Sequence, residues 1–232
     1  MAASFLGTPL ERAKPLGYTH YIKLSQTIPA DTWSLVLADV TCLLAHLPAT
    51  GPCGRPLAVR YESDDDRPPV VDAGLIRFNG YDANGADLGH ETFYQPREVG
   101  EHNTNFCKTA HKPYDLVVCA VALVLTKHAA DCVRVTSDGA IAYWMPAWRW
   151  VASVLGAGYD LPCDFTGASP YLVGLVQKYG ADSADGLRAQ RYLDEARAAA
   201  AAYEAERMAM QSLAPALSGD TDLSPALGGQ TA

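Results

Sequence analysis

The stretch that organises this chain is "FCKTAHKPYDLVVCAVALVL", residues 106–125, where a basic segment leads into the most apolar run of the sequence. Pro113 is favoured in the first turn of a helix, so we expect a helix from there to about His128. A helix N-terminus carries partial positive charge and exposed N–H groups, which suits the acidic Asp115. Three cations nevertheless crowd this positive end, and they are Lys108, His111 and Lys112.

Composition and charge limit the classes of protein to which this chain can belong. The 232 residues are 49% hydrophobic and 19% charged, which predicts a globular chain with a sizeable core. The net charge of −8 argues against a non-specific basic nucleic-acid-binding protein, although it leaves room for a local basic groove. Six cysteines without a framework spacing predict reduced thiols. No apolar run reaches the ~20 residues that span a bilayer, and no signal peptide is predicted.

Two periodicities predict the secondary structure. Strands with alternating apolar and polar residues are expected at 18–25, 57–62, 70–80, 90–97, 104–109 and 132–137. Helices are expected at 31–47, with Asp31 as its cap, and at 113–128, 142–155, 170–180 and 183–212. The strands 70–80 and 90–97 should pair as a hairpin. The pattern indicates an α+β fold with a small mixed or antiparallel sheet packed by helices, and with a helical C-terminal extension.

The same pattern predicts four regions of the chain. The expected regions are a flexible leader (1–17), an α+β core domain (18–160), a helical C-terminal region (161–214) and a disordered tail (215–232).

The cations before the long helix suggest a nucleic-acid site. A phosphate binds well at a helix N-terminus, and neighbouring lysines strengthen such a site. Aromatic side chains beside a basic groove can stack on unpaired bases, which favours single-stranded nucleic acid over duplex. In the alternative interpretation, the lysines are solvated and the phenylalanines belong to the core. The candidate residues are Lys108, His111, Lys112, Arg77, Phe78, Phe93, Tyr94 and Arg97.

Two weaker patterns concern metal and thiol chemistry. His90, His102, Cys107 and His111 lie within 22 positions and suit zinc, but their spacing matches no known finger or protease pattern. Cys107 and His111 could form a nucleophile pair, yet no orienting residue is evident. No established catalytic motif is present, so neither an enzyme activity nor a cofactor is predicted.

The last predicted helix carries an alanine-rich apolar stripe. Small residues let two helices approach closely, as a contact between copies of the chain requires. We therefore expect a homo-oligomer through this helix, with packing against its own domain as the alternative. The stripe consists of Leu187, Tyr192, Leu193, Ala196, Ala200 and Tyr203.

Three blocks resemble a known family: "RFNGYDANGADLGHETFYQPRE" (77–98), residues 106–125 and "VRVTSDG" (133–139). The family consists of small early proteins of podoviruses in the Schitoviridae, including the single-stranded-DNA-binding transcription regulators called Drc, and the resemblance covers about residues 57–140. It implies a bacteriophage protein in the host bacterial cytoplasm that coats single-stranded DNA and helps a phage-encoded RNA polymerase to use it. It supplies no functional residues. The alternatives are a phage protein that inhibits a host protein, and a small metal- or thiol-dependent enzyme.

Overall fold

The elements follow the predicted order closely. A computed structural model of the protein describes residues 18–162, 170–180 and 182–217. The leader 1–17 and most of the tail 215–232 therefore lie outside the described residues. The elements are β1 (Thr19–Leu24), α1 (Ala30–Ala45), β2 (Val59–Arg60), β3 (Val70–Val71), β4 (Leu75–Gly80), β5 (Phe93–Pro96), β6 (Thr104–Lys108), α2 (Asp115–His128), β7 (Val133–Ser137), α3 (Ile141–Leu155), α4 (Pro170–Tyr179) and α5 (Ala184–Leu217).

The strands form two antiparallel sheets, where the sequence predicted one. The first sheet has the order β6–β1–β7, and the second has the order β2–β4–β3 with β5 also paired to β4. The predicted hairpin is confirmed, since Phe78 of β4 lies opposite Phe93 of β5. The predicted strand 70–80 is wrong as a single element. Asp72 interrupts it, because its carboxylate accepts the N–H groups of Gly74 and Leu75 and closes a turn between β3 and β4.

Helix α2 is the centre of the fold. Its residues from Leu116 to Leu125 are all buried. A helix that is apolar on every side has to be enclosed on every side, and α2 packs against α1, α3 and β7. The apolar run in the sequence therefore marks the core of an α+β protein.

A proline lies immediately before or near the start of both α1 and α2. Helix α1 places Trp33, Val36, Val40 and Leu43 in the core, at the three- and four-residue spacing of one helix face. Its cap position is Pro29, and the prediction of Asp31 as the cap is wrong because Asp31 already lies in the first turn. Pro113 forms the turn that precedes α2, where its carbonyl accepts the N–H of Leu116.

Helix α5 packs against the core through α3, and α4 packs against α5. The rings of Trp148 and Tyr203 meet edge to face at 5.0 Å, and Arg149 pairs with Glu206 at 2.6 Å. Leu193, Ala196 and Tyr203 are buried within the chain, so part of the predicted oligomer stripe is used inside the molecule. Among the described residues, every helix is too short or too polar to cross a membrane.

Candidate nucleic-acid interface

The positive end of α2 is already complemented by Asp115. Its Oδ1 atom accepts a hydrogen bond from the Thr109 hydroxyl at 2.6 Å and lies 2.8 Å from Nε2 of His20. A carboxylate in the first turn also opposes the helix dipole. An external phosphate would therefore have to displace an anion that the chain itself supplies.

Lys112 is held by the loop between β4 and β5. Its Nζ atom lies 2.5 Å from Oδ2 of Asp87 and also donates to the Asp87 carbonyl oxygen at 3.0 Å. The Lys112 side chain is 17% exposed. The ion pair explains a cation beside a positive helix end, because Lys112 fastens the loop.

His111 belongs to an aromatic cluster. It stacks on Tyr18 with ring centroids 3.8 Å apart, and its centroid lies 4.8 Å from that of Tyr143. Ala110 and His111 have φ values of 49° and 56°, and the Lys112 N–H closes the turn on the Thr109 carbonyl. Left-handed backbone is strained in residues other than glycine. This backbone conformation places the His111 ring against Tyr18. His111 is therefore a packing residue, and the prediction of a phosphate contact at His111 is corrected.

Two of the predicted base-stacking residues are in the core. Phe78 and Phe93 are buried and stack on each other, with ring centroids 4.8 Å apart. Their place on the inner side of a hairpin excludes contact with a base, so this part of the prediction is corrected. Tyr94, on the opposite side of β5, is 43% exposed.

The two predicted arginines already have partners. Arg77 forms an ion pair with Glu62, and its guanidinium lies 4.3 Å from the centroid of the Tyr61 ring. Arg97 pairs with Glu98 at 2.8 Å. Both pairs lie on the second sheet or its edge, and neither points to a shared site with the start of α2.

Of the predicted site residues, Lys108 lies on a different surface: the outer face of the first sheet. Lys108 ends β6, where its N–H binds Glu91 Oε2. In β1 and β6, alternate side chains point away from α2, as strand geometry requires. We define the outer face by the following residues: Tyr21 and Lys23 of β1, Thr104, Phe106 and Lys108 of β6, and Arg134 and Thr136 of β7.

The outer face combines aromatic and basic side chains. Tyr21 lies directly opposite Phe106, which is 62% exposed, and Lys23 lies directly opposite Arg134. The three strands contain no Asp or Glu. Tyr94 lies near Phe106, because both side chains border one small void at the edge of the sheet. Within the described residues, neither Lys23 nor Arg134 forms an ion pair.

Sequence reasoning missed Tyr21, Lys23 and Arg134. The alternation in "YTHYIKLS" (18–25) and "CVRVTS" (132–137) predicted both strands correctly. The same alternation identifies the outward residues. Their meeting on one surface depends on the order β6–β1–β7, which joins parts of the chain far apart in sequence.

The residues of the weaker metal and thiol patterns do not come together in the structure. His90 and His102 are exposed, whereas Cys107 is buried with its Sγ atom against the Glu91 carbonyl. Burial raises the pKa of the Cys107 thiol to about 12, so a thiolate is not formed near neutral pH. In the described part of the chain, the one group of three possible ligands that converges is His20, Asp115 and Cys119.

Comparisons with known proteins add no family. No protein-family model matches this chain, and no curated protein and no solved structure matches it.

Proposed function

We propose that this chain is a bacteriophage single-stranded-DNA-binding protein that acts in phage transcription as a cofactor of an RNA polymerase, in the host bacterial cytoplasm. The observation that carries the DNA-binding part is the outer face of the β6–β1–β7 sheet, where exposed aromatic and basic side chains meet without an acid on the three strands. The proposed contact residues are Tyr21, Lys23, Tyr94, Phe106, Lys108 and Arg134.

The aromatic residues favour an unpaired strand. Tyr21 and Phe106 are cross-strand neighbours, and Tyr94 borders the same small void as Phe106. A base can stack on such rings only when its own face is free, which requires single-stranded nucleic acid. Duplex DNA would offer this flat surface its phosphates alone. The outer face should therefore prefer single strands.

The basic residues supply the phosphate contacts. Lys23 and Arg134 lie opposite one another, and Lys108 lies at the end of the neighbouring strand. Like charges directly opposite each other in a sheet are destabilising, and a phosphate between them would relieve the repulsion. The overall charge of −8 does not oppose this proposal, because the acids lie outside the three strands.

The role in transcription rests on the sequence resemblance of residues 57–140. The β6–α2–β7 segment lies inside that range, so the proposed DNA-binding face and the resemblance overlap. A phage-encoded RNA polymerase is the partner that the resemblance suggests. A run-off transcription assay on single-stranded and duplex templates tests this part separately from DNA binding.

We propose a homo-oligomer whose contact uses fewer residues of α5 than the predicted stripe contains. Leu193, Ala196 and Tyr203 are buried inside the chain, while Leu187 and Met208 remain exposed on α5. These two residues could contact a second copy. Linked protomers would raise the effective concentration of neighbouring sites on one DNA strand and make binding cooperative.

Fluorescence anisotropy with labelled oligonucleotides tests the DNA-binding proposal. We expect micromolar or tighter binding to single-stranded DNA and weaker binding to the matched duplex. Tyr94→Ala should weaken binding, whereas Tyr179→Ala should not, because Tyr179 is equally exposed at 44% but lies on α4. Equal affinity for duplex, or no binding at tens of micromolar, contradicts the proposal and favours inhibition of a host protein.

A further inference from the structure

We propose that His20, Asp115 and Cys119 form a zinc site that ties β1 to the first turns of α2. The three side chains come from two elements of the core. Asp115 and Cys119 are one helical turn apart, so they share a face of α2, and β1 places His20 against that face. The ligand atoms of all three lie within 4.8 Å of one another.

The separations between the ligand atoms suit a tetrahedral ion. Nε2 of His20 lies 2.8 Å from Oδ1 of Asp115 and 3.8 Å from Sγ of Cys119. The same sulfur lies 3.9 Å from Oδ2 of Asp115. Tetrahedral zinc, with bonds of about 2.0–2.3 Å, separates its ligand atoms by about 3.3–3.6 Å. Only one Asp115 oxygen would bind the ion and all three ligand atoms lie within 4.8 Å of one another, so the separations need to change by up to about 1.2 Å.

The donor set balances the charge of the ion. Zinc binds the thiolate form of cysteine and the ionised form of aspartate, so the three ligands and Zn²⁺ sum to zero. A neutral site is suited to its surroundings, because His20 and Cys119 are buried. Asp115 is partly exposed, with 15% of its side chain accessible, and this opening gives an ion or a water ligand access.

Neighbouring groups would hold the ligands in place. The Thr109 hydroxyl donates to Oδ1 of Asp115 at 2.6 Å, which is the kind of outer contact that orients a metal-binding carboxylate. The rings of Tyr18 and Trp144 meet the His20 imidazole edge to face at 4.9 and 5.1 Å. The imidazole is thus fixed by packing, with Nε2 directed to the other two ligands.

The same geometry does not suit a nucleophilic cysteine. In a Cys–His–Asp catalytic arrangement, the acid binds one ring nitrogen and the cysteine binds the other. Here both Asp115 and Cys119 face Nε2 of His20, and Nδ1 makes no hydrogen bond within the described residues. Two groups that converge on one nitrogen can both reach an ion placed among them, but they cannot relay a proton through the ring.

Metal analysis of the full-length protein tests the site. The protein is expressed with added zinc, purified without chelator and measured by mass spectrometry for zinc per chain. We expect about one zinc per chain, and at least a tenfold loss in Cys119→Ser. Cys132→Ser is the matched control, since Cys132 is also buried but lies immediately before β7. This variant should keep its zinc. Zinc retained by Cys119→Ser, or lost equally by the control, overturns the site.

Cobalt substitution keeps the test decisive if Cys119→Ser does not fold. A Cys53→Ser background removes an exposed thiol that could bind metal elsewhere. After chelation and addition of Co²⁺, this protein should show the sulfur-to-cobalt charge-transfer band and the visible spectrum of four-coordinate cobalt. The absence of both, together with zinc well below one per chain, shows that the trio is only a hydrogen-bonded cluster.

Discussion

Lys23 of β1 and Arg134 of β7 lie directly opposite each other on the outer face, and neither has an acidic partner in the described part of the chain. Like charges directly opposite each other in a sheet are destabilising. An anion bound between the two cations would remove this repulsion. Substitutions in this pair should therefore change DNA affinity without lowering the stability of the fold.

Arg134→Ala should weaken binding to single-stranded DNA without destabilising the protein. Loss of one phosphate contact should flatten the slope of log affinity against log salt by about 0.7. The melting temperature should stay the same or rise slightly, because the repulsion with Lys23 is removed. Arg191→Ala removes the same charge from an exposed position on α5 and should leave both the affinity and the salt slope unchanged. Identical slopes for all three proteins would place the phosphate contacts elsewhere.

Phe106→Ala should remove a stacked base. Phe106 is the most exposed aromatic residue among the described positions with large apolar side chains. Stacking on an aromatic side chain contributes about 1–3 kcal/mol per base, so the affinity for a short oligonucleotide should fall by about 5- to 150-fold. Leu35→Ala, an apolar truncation at an exposed position of α1, is the control. If both variants bind DNA as the wild type does, the rings of the outer face do not contact bases.

The two lysines before α2 should behave differently. Lys108→Ala removes a charge from the outer face and should weaken DNA binding about as much as Arg134→Ala. Lys112→Ala breaks the ion pair with Asp87, so its main effect should be a loosened loop. Because Asp87 is largely exposed, the pair contributes little to the free energy of unfolding, and the melting temperature should change little. Hydrogen exchange of residues 81–90 checks this effect. A larger loss of DNA affinity in Lys112→Ala than in Lys108→Ala would restore the helix start as the binding site.

The fold was largely predictable because its elements have strong local periodicity. The fully apolar run of α2 and the alternation of β1 and β7 identify core helix and strands without tertiary information. The turn at Asp72 escaped prediction, because a short polar interruption lies within an otherwise strand-like segment. Such an Asx turn depends on one carboxylate that binds two backbone N–H groups.

The candidate site was less predictable because it depends on distant pairing. Lys112 contacts Asp87, which is 25 positions away in the sequence, and His20 contacts Asp115, which is 95 positions away. A pattern of neighbouring residues in the sequence cannot predict contacts between such distant positions. The burial of Phe78 depends likewise on which side of the hairpin faces the core. A basic and aromatic composition near α2 was therefore a weak guide to the residues that share a surface.

The C-terminal helix supports a test of oligomerisation. Leu187→Glu and Met208→Glu should each shift a homo-oligomer towards monomer in light scattering at tens of micromolar, because both residues are exposed on α5. Neither change should lower the melting temperature by more than a few degrees, since exposed substitutions alter stability by about 0.5 kcal/mol or less. Gln190→Glu adds the same charge to the helix at a polar position as a control. A wild-type monomer at this concentration refutes the assembly.

Lowering the pH should destabilise the protein through His111. Burial between Tyr18 and Tyr143 lowers the pKa of His111 below its usual 6.5, partly offset by Asp115. The unfolded chain then binds a proton more readily than the folded chain. Stability from this group is present above about pH 6.5 and is lost as the pH falls through the lowered pKa.

Melting temperatures of wild type and His111→Asn at pH 7.5 and 5.5 measure this effect. Asn is the suitable replacement because it tolerates the left-handed φ of 56° at this position. The variant should lose less stability on acidification than the wild type, since it has no proton to gain there. His102→Asn is the control, and because this imidazole is exposed, it should retain the wild-type pH dependence. If His111→Asn and the wild type lose the same stability on acidification, the acid sensitivity arises at another group.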